Sequence, residues 1–515
     1  MINIPEPNKY IRYMSISSMY FEQKLEKDAT FYLAIFLSCL FIVGVPILFF
    51  PANDLNIDAF QHLATANYYL YAHVTSLRDS YTVGPVISLL IASVKGVFYK
   101  FIDWNGRYDI FLLKGLSFFC YLTIYLSAGK FLKRSTSNYR VYLFLVLMMG
   151  LHSYNSSIVS INGELLSITW MTLLLNYLYK DDNNPNSVIV SLLTILTIYT
   201  KIQSVLLLIL TLTGYYHNKK EKWAALLTVL VITLFVEIIL FFNGTGLLHR
   251  AHDFISYVLN PNWSHQALDG NSHSILFTIA DNRYIKNALW VAGTMIKTAP
   301  LIVFVIYYHV RTSKNNQTYI AEDWRIWLLI LFVTVLTPGH RFKHYTLYAM
   351  FFVIVFSKPM LADFSNKLLS RRWASSLAIA MIFIGLNTVR TLLPIEKTEL
   401  KFPQEVNTAA EITKKGGGRV FIHGWNYKLY TVFHGWDDGT ALWKVYQHNS
   451  TPEQYINRVI NNHDKYILDV AGYSGMLKEH NFEILPSTIY GKELLKYYDL
   501  IFQKNGLRLY RAKLD

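Results

Sequence analysis

The chain is punctuated by apolar runs of a length that a lipid bilayer accommodates and a soluble core does not. Residues 31–50, 223–242 and 373–386 hold one charge between them, Glu237. At 1.5 Å per helical residue, roughly 20 apolar residues cross about 30 Å of hydrocarbon. Composition agrees: across 515 residues, 53% are hydrophobic and 16% charged, the wrong balance for a soluble multidomain enzyme. The net charge of +14 does not point to nucleic acid, because the basic residues sit in short clusters between apolar runs rather than on one continuous face.

Those clusters orient the chain, since cytoplasmic loops collect Lys and Arg. Basic residues gather before the first run, at Lys130–Arg140, at Lys219–Lys222, at Arg311–Arg325 and at Lys358–Arg372. Placing these inside predicts about eleven spans, near 30–51, 111–130, 140–154, 165–180, 187–200, 203–217, 223–242, 288–309, 325–337, 345–357 and 373–392. The N-terminus is then cytoplasmic, with an uncleaved first helix, and the C-terminus lies outside. The outer connections are 52–110, 153–164, 243–287, 338–344 and the tight turn at Lys201. Residues 84–101 are apolar but interrupted by Lys95 and Lys100. Reading them as a span inverts every following loop, so they are expected to form an interfacial helix, with 58–74 a second one. Cys39 and Cys120 both fall inside apolar runs and support neither a disulfide framework nor a thiolate metal site.

After about residue 394 the texture changes to short strand-like runs, 419–423, 465–469 and 482–485, with a helix expected over 451–462. Residues 500–503 and 507–511 flank Asn505-Gly506, a pair suited to a tight hairpin turn. The fold class is therefore an all-α polytopic membrane domain over 1–393, with a small extracytoplasmic α/β domain over 394–515. Gly416-Gly417-Gly418 precedes a strand instead of opening a helix, so it fails the dinucleotide fingerprint and reads as a flexible joint.

Unusual polar clusters fall on the outer side. Just past the first span, Asp54 and Asp58 face the outer leaflet; on a helix Asp58 and His62 lie one turn apart on one face. A carboxylate there is placed to act as a general base, whereas its structural alternative is a helix cap. Lys201 breaks the positive-inside pattern, which points to an anionic partner such as phosphate. The turn Thr337-Pro338-Gly339-His340-Arg341-Phe342-Lys343-His344-Tyr345 packs several basic groups between two spans; their alternative role is binding lipid headgroups. The loop 243–287 mixes His249, His252, Asp253, Trp263 and other polar residues suited to glycan contact. The His249 and His252 pair lacks the spacing of a zinc motif; no cofactor is assigned, and a divalent metal is left open without support from residue spacing. Glu237, inside a span, has no nameable partner from sequence. His423-Gly424-Trp425 and the stretch from His434 to Asp438 resemble glycan-contacting loops as much as packed surface loops.

In the order of these elements the chain resembles the GT-C superfamily of membrane glycosyltransferases, including bacterial O-antigen-modifying glycosyltransferases and the lipid A aminoarabinose and protein O-mannosyl transferases. The resemblance implies a catalytic base after the first span, which falls on Asp58 with Asp54 as the alternative. It also implies a second acid at the start of the fourth span, Glu164, and a Thr-Lys signature, Thr200-Lys201. An arginine-containing turn followed by His-Tyr falls on Arg341, Lys343, His344 and Tyr345, near the donor phosphate. The implied activity is inverting transfer of a sugar from a polyprenyl-phosphate donor to an outer-face acceptor such as O-antigen, in a bacterial inner membrane. A polymerase or ligase of O-antigen, or a lipid-linked glycan flippase, is the alternative. The expected partners are the lipid-linked donor, a glycan acceptor and membrane lipids, with no nucleic acid.

Overall fold

The computed structural model describes residues 29–50, 52, 55, 57–71, 85–102, 106–133, 161–179, 185–201, 204–217, 223–242, 246, 248, 347–348, 351, 354–355, 400–424, 429, 432–433, 452–461, 463–473 and 483–513. The expected spans 140–154, 288–309, 325–337 and 373–392 lie outside the described residues.

The first expected span begins as α1 (Ala29–Cys39), passes through a π-helical turn over Leu40–Gly44 and ends as α2 (Val45–Phe49). Two local causes meet there. Pro46 brings no N–H to the helical ladder, and a Cβ on Gly44 would stand 2.9 Å from the Phe118 ring, so only glycine allows this close approach. Next come α3 (Ile57–Tyr71), α4 (Pro85–Phe98) and α5 (Gly106–Lys133). They are followed by α6 (Gly163–Leu178), α7 (Ser187–Thr200), α8 (Ser204–His217) and α9 (Trp223–Phe242). The helices α5 to α9 coincide with five expected spans, α5 extending beyond the expected 111–130 at both ends. Among the described residues, Gly106–Phe131 is the helix long and apolar enough to cross a membrane by itself; Pro85–Phe98, Ser187–Thr200 and Leu226–Phe242 are shorter apolar helices.

Side-chain caps set two helix starts. Asn162 Oδ1 accepts from the Leu165 N–H at 2.8 Å, and Asn186 Oδ1 accepts from the Val188 N–H at 2.9 Å. Successive helices pack as neighbours, α5 on α6, α6 on α7 and α7 on α9, while α3 lies along α4. Helix α9 turns Leu227, Leu230, Val231, Leu234 and Phe235 outward, an apolar surface that suits lipid better than water.

The expected helices 58–74 and 84–101 form over Ile57–Tyr71 and Pro85–Phe98. On α3 not only Ala59, Phe60, Leu63 and Ala66 but also His62, Thr65 and Asn67 are buried, while Asp58 and Gln61 are half-buried. On α4 an apolar outer face remains at Leu89, Val97 and Phe98. Lys95, which reads in the sequence as an interruption, is fully buried: its Nζ donates to Asp109 Oδ1 and to Asn67 Oδ1, both at 2.7 Å. Its partners lie on two other helices, where local sequence does not reveal them.

The C-terminal part is a four-stranded sheet with helices. It comprises α10 (Gln404–Gly416), β1 (Val420–His423), α11 (Pro452–Asn461), β2 (Tyr466–Asp469), α12 (Ile489–Leu494), β3 (Tyr498–Lys504) and β4 (Leu507–Ala512). Strand order is β1-β2-β4-β3; β1 and β2 are parallel, with Phe421 opposite Ile467, and the other pairs are antiparallel. The strands alternate their faces. Phe421, Ile467 and Tyr510 pack with Tyr455, Ile456 and Val459 of α11, whereas Val420, Ile422, Leu468 and Leu509 pack on the side of Val406 and Ala409 of α10. The expected hairpin forms at Asn505 (φ 51°) and Gly506 (φ 83°), the positive pair of a type I′ turn.

Three expectations fail here. The expected strand 482–485 is absent over its described residues, because the Ile484 N–H is taken by Asp469 Oδ2 at 2.9 Å and the Leu485 N–H by a turn back to Glu483. The glycine triplet is a fixed turn, not a flexible joint. Gly417 and Gly418 take φ of 62° and 97°, Lys465 Nζ donates to the Gly416 carbonyl at 2.7 Å, and a Cβ on Gly416 would meet the Tyr466 hydroxyl. Finally, His423 is buried with Nδ1 2.9 Å from the Tyr455 hydroxyl, a core position that rules it out as an exposed glycan-contacting residue.

Candidate active site

The site forms where one helix begins and the next one ends. Glu164 stands in the first turn of α6, just behind the Asn162 cap, where the positive end of the helix dipole favours a carboxylate. Lys201 ends α7 in extended backbone, where the negative end of the dipole favours a cation. Because α6 and α7 are packed antiparallel neighbours, these two termini meet, and Lys201 Nζ donates to Glu164 Oε1. Both side chains are buried.

The turn is held from several sides. The Lys201 carbonyl accepts from the Ser204 N–H at 3.0 Å, closing the link into α8. Trp170 Nε1 donates to Thr200 Oγ1 at 3.2 Å, and Ser204 Oγ pairs with the fully buried Tyr348 hydroxyl at 2.7 Å. Burial pulls the Lys201 ammonium toward its neutral form. The opposing charge of Glu164, with smaller contributions from Tyr348 and Asp58, outweighs this and holds it above the ordinary lysine value. Asp58, in the first turn of α3 and half-buried, therefore lies within electrostatic reach of the pair.

Of the residues expected from sequence, Asp58, Glu164 and Lys201 come together, and His62 lies buried one turn along α3 from Asp58. Asp54, Arg341, Lys343, His344 and Tyr345, and the loop 243–287 apart from Gly246 and Leu248, lie outside the described residues. Glu237 gains the partner that sequence could not name, the Tyr199 hydroxyl, which donates to its Oε1 at 2.6 Å across α7 and α9. Sequence reasoning missed Tyr348 and Ser204. Tyr348 follows shortly after Tyr345 in the sequence, so its proximity to that turn was the available signal.

Among the described residues no group of three or more His, Cys, Asp or Glu side chains converges.

No protein-family model matches the sequence, and no curated protein gives a significant match. The fold, however, matches solved structures. The crystal structure of the Archaeoglobus fulgidus oligosaccharyltransferase with zinc and sulfate superposes with a TM-score of 0.52 at 12% identity, over 93% of this chain and 73% of that one. The same enzyme's apo form gives a TM-score of 0.45 at 12% identity over 94% and 74%. The chain thus shares the overall fold of that oligosaccharyltransferase.

Proposed function

We propose that the protein is an inverting GT-C glycosyltransferase. It takes a sugar from a polyprenyl-phosphate carrier and passes it to a hydroxyl-bearing glycan on the outer face of the membrane. The observation that carries this reading is the buried Glu164–Lys201 pair at the helix ends of a GT-C-type fold, with Asp58 in its field.

In this reading Asp58 takes the proton from the acceptor hydroxyl, with Asp54 as the alternative base. The freed oxygen attacks the anomeric carbon, the bond to phosphate breaks, and the anomer inverts. Lys201 stabilises charge on the departing phosphate, and Glu164 holds the Lys201 side chain in place. Arg341, Lys343, His344 and Tyr345 complete the phosphate site. Tyr348, which bonds Ser204 beside Lys201, lies only four residues past His344 and supports that assignment. No step is routed through a metal. The membrane domain of about eleven spans over 1–393, the outer domain over 394–515, the bacterial inner membrane and the O-antigen acceptor belong to this proposal, following the charge pattern and the resemblance.

A second reading keeps the site but changes the donor: the structural match is to an oligosaccharyltransferase, which favours a whole lipid-linked oligosaccharide over a single sugar. Purified full-length protein incubated separately with polyprenyl-phosphate monosaccharides and lipid-linked oligosaccharides decides between them. Release of the lipid phosphate and glycosylation of an added polysaccharide are expected from the first class. Product from the second class alone would favour the second reading, and none from either would overturn both.

A further inference from the structure

Asp58 stands in the first turn of α3, and both the end of the first span before it and the body of α3 after it are fastened by a lysine buried in protein. On one flank, Lys114 of α5 is 2% exposed, and its Nζ donates to two carbonyls at the end of the first span, Leu48 O at 2.9 Å and Phe50 O at 2.6 Å. The last carbonyls of a helix have no partner within it, so these bonds fix where the chain leaves the membrane. On the other flank, fully buried Lys95 ties Asn67 of α3 to Asp109 in the first turn of α5. Asn67 lies nine residues past Asp58 on the same helix, and a helix transmits rotation rigidly along its length. Both fastenings converge on α5, the long helix of the described bundle.

Burying an ammonium in such surroundings is costly and is tolerated when its donors are satisfied: Lys95 is paired with Asp109 and bonded to Asn67, and Lys114 is bonded to two carbonyls. An apolar side chain of similar volume would pack α4 and α5 as well and avoid that cost. What an apolar residue cannot supply is direction: each ammonium accepts only a few positions of its partners. We propose that Lys95 and Lys114 are positioning residues that set the placement of Asp58 relative to the Glu164–Lys201 pair. Neither lysine touches the reacting groups. This rests on the transferase reading above for its effect on catalysis, though not for its effect on geometry.

The test uses the full-length protein in detergent. Lys95→Met with Asp109→Leu removes both buried charges at once, which spares the fold the cost of a lone buried ion, and Lys114→Gln keeps one donor for the carbonyls. Turnover per folded molecule is expected to fall about 10- to 100-fold, the effect of a misplaced catalytic group. KM for the polyprenyl-phosphate sugar is expected to change less than about threefold, because the phosphate-facing groups are untouched. A purely structural role would lower the yield of folded protein and leave its turnover unchanged, which would overturn the proposal. A second arm needs no activity. Spin labels at Gln61→Cys on α3 and Phe119→Cys on α5, in a Cys39→Ala, Cys120→Ala background, report the helix-to-helix distance by dipolar EPR. A narrow distribution that broadens or shifts in Lys95→Met with Asp109→Leu is expected, and an unchanged distribution would overturn the proposal. If the unaltered enzyme transfers nothing from any donor, the transferase reading falls while this arm still decides on placement.

Discussion

Lys201, at the end of α7, donates to Glu164, in the first turn of α6 and 37 residues earlier in the chain. Neither side chain reaches water appreciably. Everything proposed for the site depends on this pair, so its energetics are the first thing to measure.

Removing one partner leaves a lone buried charge. Lys201→Met is expected to cost about 3–5 kcal/mol, whereas Lys201→Met combined with Glu164→Leu is expected to cost less than the single change. Thermal unfolding of the purified variants, followed by tryptophan fluorescence, checks the order. A double variant less stable than the single one would mean that the pair is not a closed unit.

The pH dependence has a definite sign. The folded state raises the Lys201 value, after burial has been outweighed by Glu164, so the pair's contribution is fully present below the unfolded lysine value of about 10.4. It is lost only as pH rises through the higher folded value. The difference in unfolding temperature between unaltered protein and Lys201→Met should therefore stay level from neutral pH to about 10 and shrink above it. A difference that already shrinks near neutrality would contradict this assignment.

Asp58→Asn tests the base. Turnover is expected to drop by about 10²- to 10⁴-fold, with donor KM and unfolding temperature little changed. Arg341→Gln should behave oppositely, raising donor KM by weakening the phosphate contact. If Asp58→Asn retains turnover while Asp54→Asn loses it, the base moves to Asp54 and the rest of the scheme stands.

In the C-terminal sheet region, Gly424 takes φ of 109°, and a Cβ there would lie 2.7 Å from the Ala471 backbone nitrogen. Gly417 also has positive φ, 62°, but open space around it. Gly424→Ala should therefore cost more than Gly417→Ala, which carries only the conformational penalty of about 1–2 kcal/mol. Limited proteolysis of the region 394–515 against denaturant ranks the two, and equal sensitivity would remove the steric explanation.

Near the strand ends of that region, Asp469 accepts from the Ala471 and Ile484 N–H groups and faces Arg508 at 3.4 Å, while Arg508 also donates to Glu483 at 2.7 Å. Burial still pushes Asp469 above the usual carboxylate range, against the opposing charges of His423 and Arg508 and these hydrogen bonds. The cluster explains why 483–485 is a turn: a carboxylate on β2 captures the N–H that a strand would have offered to a neighbour.

The sequence by itself determined the elements whose signals are local. Helices α6 to α9 fall where runs of apolar residues end at polar ones, because a helix satisfies its own backbone hydrogen bonds and a continuous apolar run favours burial along its whole length. The Asn505-Gly506 turn was equally legible, since positive φ is a property of those two residues. Lys201 stands out in the sequence as an exception to the pattern of basic clusters, whereas Asp58 and Glu164 are pointed to by the resemblance in the order of elements. Only the tertiary structure decided which charges meet. Lys95 read as an interruption until Asp109 and Asn67 closed on it from other helices, and Lys114 gave no signal at all. Glu237 had no partner until Tyr199 crossed from α7. Tyr348 entered the site through Ser204, 144 residues away. A buried ionic contact is specified by the packing of helices far apart in the chain, and the periodicity of any one helix records only that it has a face to bury.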